Sequence, residues 1–200
     1  MHATLSDILS ELAANAAEAG SREVDLAVVE RGPEVLIEVA DDGRGMDEAE
    51  RLRALDPCFS GSGAHPGREA GLGLAFALQA AESAGGAVDI DSKPGEGTRV
   101  RARFDRTNID TPPEGDWVTA FLMALGIPGA DEVRIRHERG ARAWSVARSS
   151  LAARLGGLER ARALNAARRE LLERERTLEA DGREAVTHDG IEEHGNQAAG

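Results

Sequence analysis

The sequence predicts an α+β fold, a two-layer sandwich in which one mixed sheet is covered by helices. A small α/β extension and a helical, partly disordered tail follow it. Three observations carry this expectation. Up to Phe104 the pattern runs helix, two strands, short helix, loop, helix, two strands. Past Pro112-Pro113 one more helix and a second hairpin pattern appear. From Ser149 the chain turns to Arg, Glu, Leu and Ala, and then to a polar acidic end.

The elements follow in order. Leu5, Ile8, Leu9, Leu12, Ala13 and Ala16 recur near a 3.6-residue period, which predicts a helix over Leu5 to Ala19. Thr4 followed by Asp7 reads as a capping-box variant, and Gly20 as the stop. Val24 to Val29 and Val35 to Ala40 are rich in β-branched residues. Arg31-Gly32-Pro33-Glu34 joins them as a hairpin turn. Asp47 to Leu55 predicts a short helix ended ahead of Pro57. Ser60 to Ala70 contains Gly61, Gly63, Pro66 and Gly67 and reads as a mobile loop. A helix over Leu72 to Ala84 precedes strands over Ala87 to Ser92 and Thr98 to Phe104, joined through Lys93 to Gly97. Asp116 to Leu125 predicts a helix, and Glu132 to His137 with Ala141 to Val146 a second hairpin around Arg139-Gly140.

Over Ser149 to Ala180, Leu164, Leu171 and Leu178 recur every seven residues, but Arg168 and Glu175 fill the intervening seam positions. That pattern favours a solvated amphipathic helix over a coiled coil. The expected divisions are residues 1–106 as the core domain, 107–148 as a helix-plus-hairpin extension, 149–180 as a charged helix and 181–200 as a disordered tail.

Composition excludes several functions. Net charge is -12 with a pI near 4.9, which argues against nucleic-acid binding, since that depends on neutralising phosphates with Lys and Arg. Aromatic residues are 3% and tyrosine is absent, so the stacking platforms of single-strand binders are missing. No apolar run is long enough for a membrane span, and Met1-His2-Ala3-Thr4 does not begin a signal peptide. Cys58 is the sole cysteine, which rules out an intrachain disulfide and fits a reducing cytoplasm.

Four short motifs carry chemistry. Glu11 and Asn15, four apart, share one helix face. An Asn carbonyl oxygen suits Mg²⁺, a hard cation that keeps several waters. Asp41-Asp42-Gly43-Arg44-Gly45-Met46 follows a strand directly. A buried carboxylate there can accept a hydrogen bond from an amino group, while Gly43 and Gly45 permit positive φ and close backbone approach. Gly71-Leu72-Gly73-Leu74 opens a helix, whose N-terminal amides favour phosphate. Gly95-Glu96-Gly97-Thr98 forms the turn before the last core strand. Taken singly, each also reads as an ordinary feature: a polar helix face, an Asp-Gly turn, a flexible helix start and a common hairpin turn.

In this order and spacing the motifs resemble the nucleotide pocket of the GHKL ATPases, the superfamily of DNA gyrase, the ninety-kilodalton heat-shock chaperones, histidine kinases and MutL. The resemblance covers Leu5 to Phe104 and implies a Bergerat-type sandwich that binds ATP or ADP with Mg²⁺. By position it implies that Asn15 holds Mg²⁺ against the phosphates and Glu11 activates water as the catalytic acid–base. It implies that Asp41 makes the adenine-specific contact, with Asp42 in the variable place and Gly43, Gly45 and Met46 lining the base. Gly71, Leu72, Gly73 and Leu74 then cradle phosphate, and the Thr98 hydroxyl supports Asp41. Asp56-Pro57-Cys58-Phe59 resembles the start of the family's lid. Ser60-Gly61-Ser62-Gly63 stands where many members carry a Thr-Thr-Lys run. The lysine is missing, although Arg68 offers a positive charge later in the loop.

Only Met1 to Thr4 precede the first motif, which leaves no space for a histidine kinase's phosphoacceptor hairpin, and His137 lies in a strand-like run. Thr107-Asn108-Ile109-Asp110-Thr111-Pro112-Pro113-Glu114-Gly115-Asp116 is similar to a stretch of small stand-alone ATP-binding proteins. Those are found near subunits of iron–iron hydrogenases and NADH-linked electron-transfer complexes. The resemblance implies a cytoplasmic ATP-binding protein with slow hydrolysis or phosphotransfer. Its protein partner would be an electron-transfer subunit or a signalling protein, and a homodimer is compatible. An ATP-gated binding module without hydrolysis and an anti-sigma-type serine kinase remain as alternatives.

Overall fold

A computed structural model of the protein describes residues 4–55 and 72–179. The lid reading over 56–70, Gly71 and the tail reading over 181–200 fall outside these residues. The order is α1 (Leu5–Glu18), β1 (Glu23–Arg31), β2 (Glu34–Asp41), α2 (Glu48–Ala54), α3 (Leu72–Ser83), β3 (Ala87–Lys93), β4 (Gly97–Asp105), α4 (Trp117–Leu125), β5 (Glu132–Arg139), β6 (Arg142–Ala147), α5 (Arg148–Leu155) and α6 (Ala161–Glu179).

The six strands form one sheet in the order β3-β4-β2-β1-β5-β6. β1 and β5 pair in parallel and every other neighbouring pair is antiparallel, so the sheet is mixed. Period-two alternation gives the sheet its two faces. Val24, Leu26 and Val28 of β1, Val35, Ile37 and Val39 of β2, and Val100, Ala102 and Phe104 of β4 are buried against the helical layer. The residues between them face outward and are largely charged. Glu38 pairs there with Arg99 and Arg101, and Arg134 pairs with Glu23 and Asp25. Exposed pairs of this kind each contribute little to stability. Their effect is to keep the open face soluble and the register unambiguous. The α+β sandwich expected from the sequence is therefore the observed architecture.

The helix ends have local causes. Thr4 Oγ1 accepts from the Asp7 amide at 3.1 Å, and the Asp7 carboxylate accepts from the Thr4 amide at 2.9 Å, a complete capping box. Asp47 and Glu50 repeat the motif at α2. Asp116 caps α4 by accepting from the Thr119 amide at 2.9 Å.

The Pro112-Pro113 stretch has a definite structural role. The Pro113 and Glu114 carbonyls accept from the Leu5 and Ser6 amides at 2.8 and 2.9 Å, which satisfies first-turn donors of α1. Glu114 also pairs with Arg106 and Arg139, both of which reach the buried Glu30 at the end of β1. This end of the sheet is thus stapled by charge, opposite the end where Asp41 and Thr98 pair.

Residues 149–179 differ from the single solvated helix suggested by the heptad of leucines. Gly156, in the left-handed region at φ 72°, ends α5, and α6 begins at Ala161. The buried face of α6 is Ala163, Ala167, Leu171 and Leu178, while Leu164 is turned outward. Glu175, which reads in the sequence as a polar interruption of the seam, is satisfied on packing. It lies 2.8 Å from His137 Nδ1 and accepts from Trp144 Nε1 at 3.0 Å. A partly buried polar group that finds partners does not prevent docking, and the short alanines let the helix approach α4 and the sheet.

Candidate functional site

The candidate site is built along α1 and the ends of the strands beside it. The loop after β2 is held from two sides. On one side the Arg44 amide donates to the Ala19 carbonyl at 3.0 Å, at the C-terminus of α1. On the other, the Gly95 amide donates to the Arg44 carbonyl at 2.7 Å, and the Met46 amide donates to Ser92 Oγ at 2.8 Å. Such a loop cannot pass so close to its neighbours with side chains at the glycine positions. A Cβ on Gly43 would lie 2.6 Å from Ala19 Cβ and from Ser21 Oγ. Gly45 has φ 64°, and a Cβ there would lie 1.9 Å from the Lys93 carbonyl oxygen.

The two adjacent aspartates have separate duties. Asp42 Oδ1 accepts from the Arg22 and Glu23 amides at 2.7 and 2.9 Å and so fixes the start of β1. Asp41 ends β2 opposite Thr98 of β4. Its Oδ1 accepts from the Gly43 amide and from Ser21 Oγ, both at 2.8 Å. Burial pushes the Asp41 carboxyl above its ordinary range, and the hydrogen bonds from Gly43 and Ser21 pull it back. The result is a partly buried acceptor with one oxygen already engaged, suited to an amino N–H of a ligand.

Thr98 Oγ1 lies 2.9 Å from Ser92 Oγ, which also receives the Met46 amide. Ser92 therefore connects the Asp41–Thr98 pair to Met46, itself partly buried against the core. A polar cleft lined by Asp41, Ser92, Lys93, Gly97 and Thr98 opens at this end of the sheet.

The second part of the site lies one helical turn back along α1. Asn15 and Ala19 are about 6 Å apart along the axis. Glu11 is exposed and Asn15 half-buried on the same face. Gly73, buried at the start of α3, sits against both. A Cβ there would lie 3.1 Å from Glu11 Cβ and 3.2 Å from Asn15 Nδ2. Leu74 is buried in the core and anchors this turn of α3. Of the expected phosphate turn, Leu72 begins α3 and Gly71 lies outside the described residues. Among the described residues no three His, Cys, Asp or Glu side chains are placed to hold a metal unaided. The side-chain amide of Asn15, whose nitrogen lies toward Gly73 and whose oxygen is a hard donor, with the Glu11 carboxylate on the same face, fits an ion that arrives with its own ligands.

Ser21 and Ser92 escaped the sequence reading. A serine after a helix-ending glycine is a common turn residue. Ser92 carried one faint signal, since alternation along β3 places it on the same face as Val88 and Ile90.

Comparison with known proteins gives the family of the chain. A family model described as "Histidine kinase-, DNA gyrase B-, and HSP90-like ATPase" matches residues 2–108, more than half of the chain. The signal transduction histidine-protein kinase AfsQ2 of Streptomyces coelicolor (strain ATCC BAA-471 / A3(2) / M145) is 31% identical over 113 residues, 56% of this chain and 21% of that protein. The sensor histidine kinase CitA of Klebsiella pneumoniae is 33% identical over 79 residues, 40% of this chain and 14% of that protein. The chain thus matches less than a quarter of the length of either relative. No helix among the described residues is long and apolar enough to cross a membrane.

Proposed function

The chain belongs to the histidine kinase-, DNA gyrase B-, and HSP90-like ATPase family, and from that premise we propose that it binds ATP with Mg²⁺ and slowly transfers the γ-phosphoryl group to water or to a protein hydroxyl. The observation that carries this reading is the single ruler of α1. It sets the Glu11–Asn15 face against Gly73 and, one turn on, meets the loop that holds Asp41. Asp41 accepts from the adenine amino group, with Thr98 and Ser92 supporting it and Gly43, Gly45 and Met46 shaping the base wall. The Gly71 to Leu74 turn takes the phosphates on its amides. Asn15 is the protein ligand to Mg²⁺, which when bound neutralises charge on the triphosphate. Glu11 orients and deprotonates the attacking oxygen. On this reading residues 1–106 form the nucleotide-binding unit, and 107–148 and 149–180 are appended to it.

His137 is closed to phosphoryl transfer, since its side chain is 0% exposed between Glu30 and Glu175. The named relatives are histidine kinases, whereas on this reading the acceptor is water or the hydroxyl of a partner protein. The stretch from Thr107 to Asp116 supports an electron-transfer subunit as that partner and a setting in the cytoplasm. A signalling protein, with serine as the acceptor, is the variant of the same chemistry.

One observation favours a second reading, in which ATP gates partner binding without hydrolysis. Lys93 is the only lysine in the chain and ends β3 at the cleft beside Asp41, the adenine end on this reading. Replacement of Glu11 separates the two readings. Glu11→Ala should lower steady-state phosphate release on the order of 10²- to 10³-fold while ATP affinity stays within about twofold. Wild-type turnover at the level of Glu11→Ala would remove the catalytic role and leave the gating one.

A further inference from the structure

We propose that Ser21 is a positioning residue for base selectivity, holding the Asp41 carboxylate so that its second oxygen is presented to an adenine amino group. The inference rests on Asp41 being the base contact. Ser21 is 3% exposed and lies between the end of α1 and the start of β1. Its Oγ is 2.7 Å from the Ala16 carbonyl and 2.8 Å from Asp41 Oδ1, two acceptors for one hydroxyl hydrogen.

The chemistry decides between them. The Ala16 carbonyl already receives the Ser21 amide at 3.3 Å. The carboxylate is charged, partly buried and the stronger acceptor. The hydroxyl hydrogen therefore belongs to Asp41 when that residue is ionised.

With the Gly43 amide it places two donors on Oδ1, one from the loop after β2 and one from the α1–β1 connection. Two fixed donors on one oxygen lock rotation of the carboxylate and favour its anionic form against the effect of burial. An anionic Asp41 accepts from adenine but repels guanine, which presents a carbonyl oxygen at the same ring position. Without the hydroxyl, Asp41 loses one of its donors and is left with the Gly43 and Thr98 amides. It can then turn, or take up a proton and donate it to guanine. The Thr98 and Ser92 hydroxyls cannot replace that of Ser21, because they pair with each other on the β3–β4 side.

The test is a ligand cycle on the full-length chain with Mg²⁺. ATP, GTP and purine riboside triphosphate, which lacks the amino group, are titrated against wild type, Ser21→Ala and Ser21→Cys. The cysteine variant fills the same space with a weak donor and guards against loss of packing in the alanine variant. In both variants ATP affinity should fall about 5- to 10-fold, purine riboside triphosphate should change less than about twofold, and the preference for ATP over GTP should narrow. Equal weakening of ATP and purine riboside triphosphate would show a merely structural role, and no weakening of either would show none. Both outcomes overturn the proposal. Failure of the wild type to bind ATP would instead overturn the Asp41 reading, and this proposal with it.

Discussion

Asp41→Asn should abolish detectable ATP binding and leave the fold intact. The asparagine amide can still accept at Oδ1 from the Gly43 amide and Ser21 Oγ, the two donors that hold the side chain in place. What changes is the other arm, which becomes an N–H₂ donor facing the donor of the adenine amino group. Loss of a hydrogen bond to a charged acceptor costs about 1.5–3 kcal/mol, and the donor–donor contact adds to it, so affinity should fall on the order of 100-fold or more. Titration calorimetry reads this directly.

The apo protein should respond in the opposite sense. Burial holds the Asp41 carboxyl above its ordinary range, so the wild type carries a stability cost that appears as pH rises through that raised value. The asparagine variant has no such titration. Its thermal midpoint should equal that of the wild type at acid pH, where Asp41 is itself neutral, and should exceed it increasingly toward neutral pH. A variant that melts well below the wild type at neutral pH would show that the charge is needed for the fold.

Gly45→Ala should damage both fold and site. A β-carbon at this position would meet the Lys93 carbonyl carbon and oxygen at 2.7 and 1.9 Å, and both are backbone atoms that no rotamer change can move. Relief requires the loop to part from the β3–β4 turn. That would break the Gly95-to-Arg44 bond at 2.7 Å and the Met46-to-Ser92 bond at 2.8 Å. A left-handed alanine costs about 1–2 kcal/mol, and two hydrogen bonds add about 1 kcal/mol each. The sum of about 3–4 kcal/mol predicts a fall in thermal midpoint on the order of 10 °C for a chain of this size. Melting followed by circular dichroism measures it, and a fall of less than about 2 °C would mean that loop and turn are not in contact.

Legibility of the fold in the sequence followed the strength of local rules. Thr4 and Asp7 announced the start of α1 because a capping box needs only neighbours in sequence. Asp41 could be placed at the end of a strand because Val35, Ile37 and Val39 alternate cleanly. The break between α5 and α6, and the docking of α6, could not be read in the same way. Glu175 looks like a surface charge until His137 and Trp144, more than thirty residues away, supply its partners. Leu164 satisfies the heptad yet faces outward, because the helix approaches the sheet through Ala163 and Ala167. Ser21 and Ser92 stayed hidden for a related reason. Hydroxyls gain meaning from the acceptors they meet, and those acceptors come from other elements.

Calorimetric titration of the wild-type chain with ATP, beside GTP, in the presence of Mg²⁺ tests the central claim most directly. Saturable one-to-one binding of ATP, with GTP at least about tenfold weaker, is the result expected from an anionic Asp41 held by Ser21 and Gly43. Equal affinity for the two nucleotides, or no heat with either, would contradict the assignment of Asp41 as the base contact.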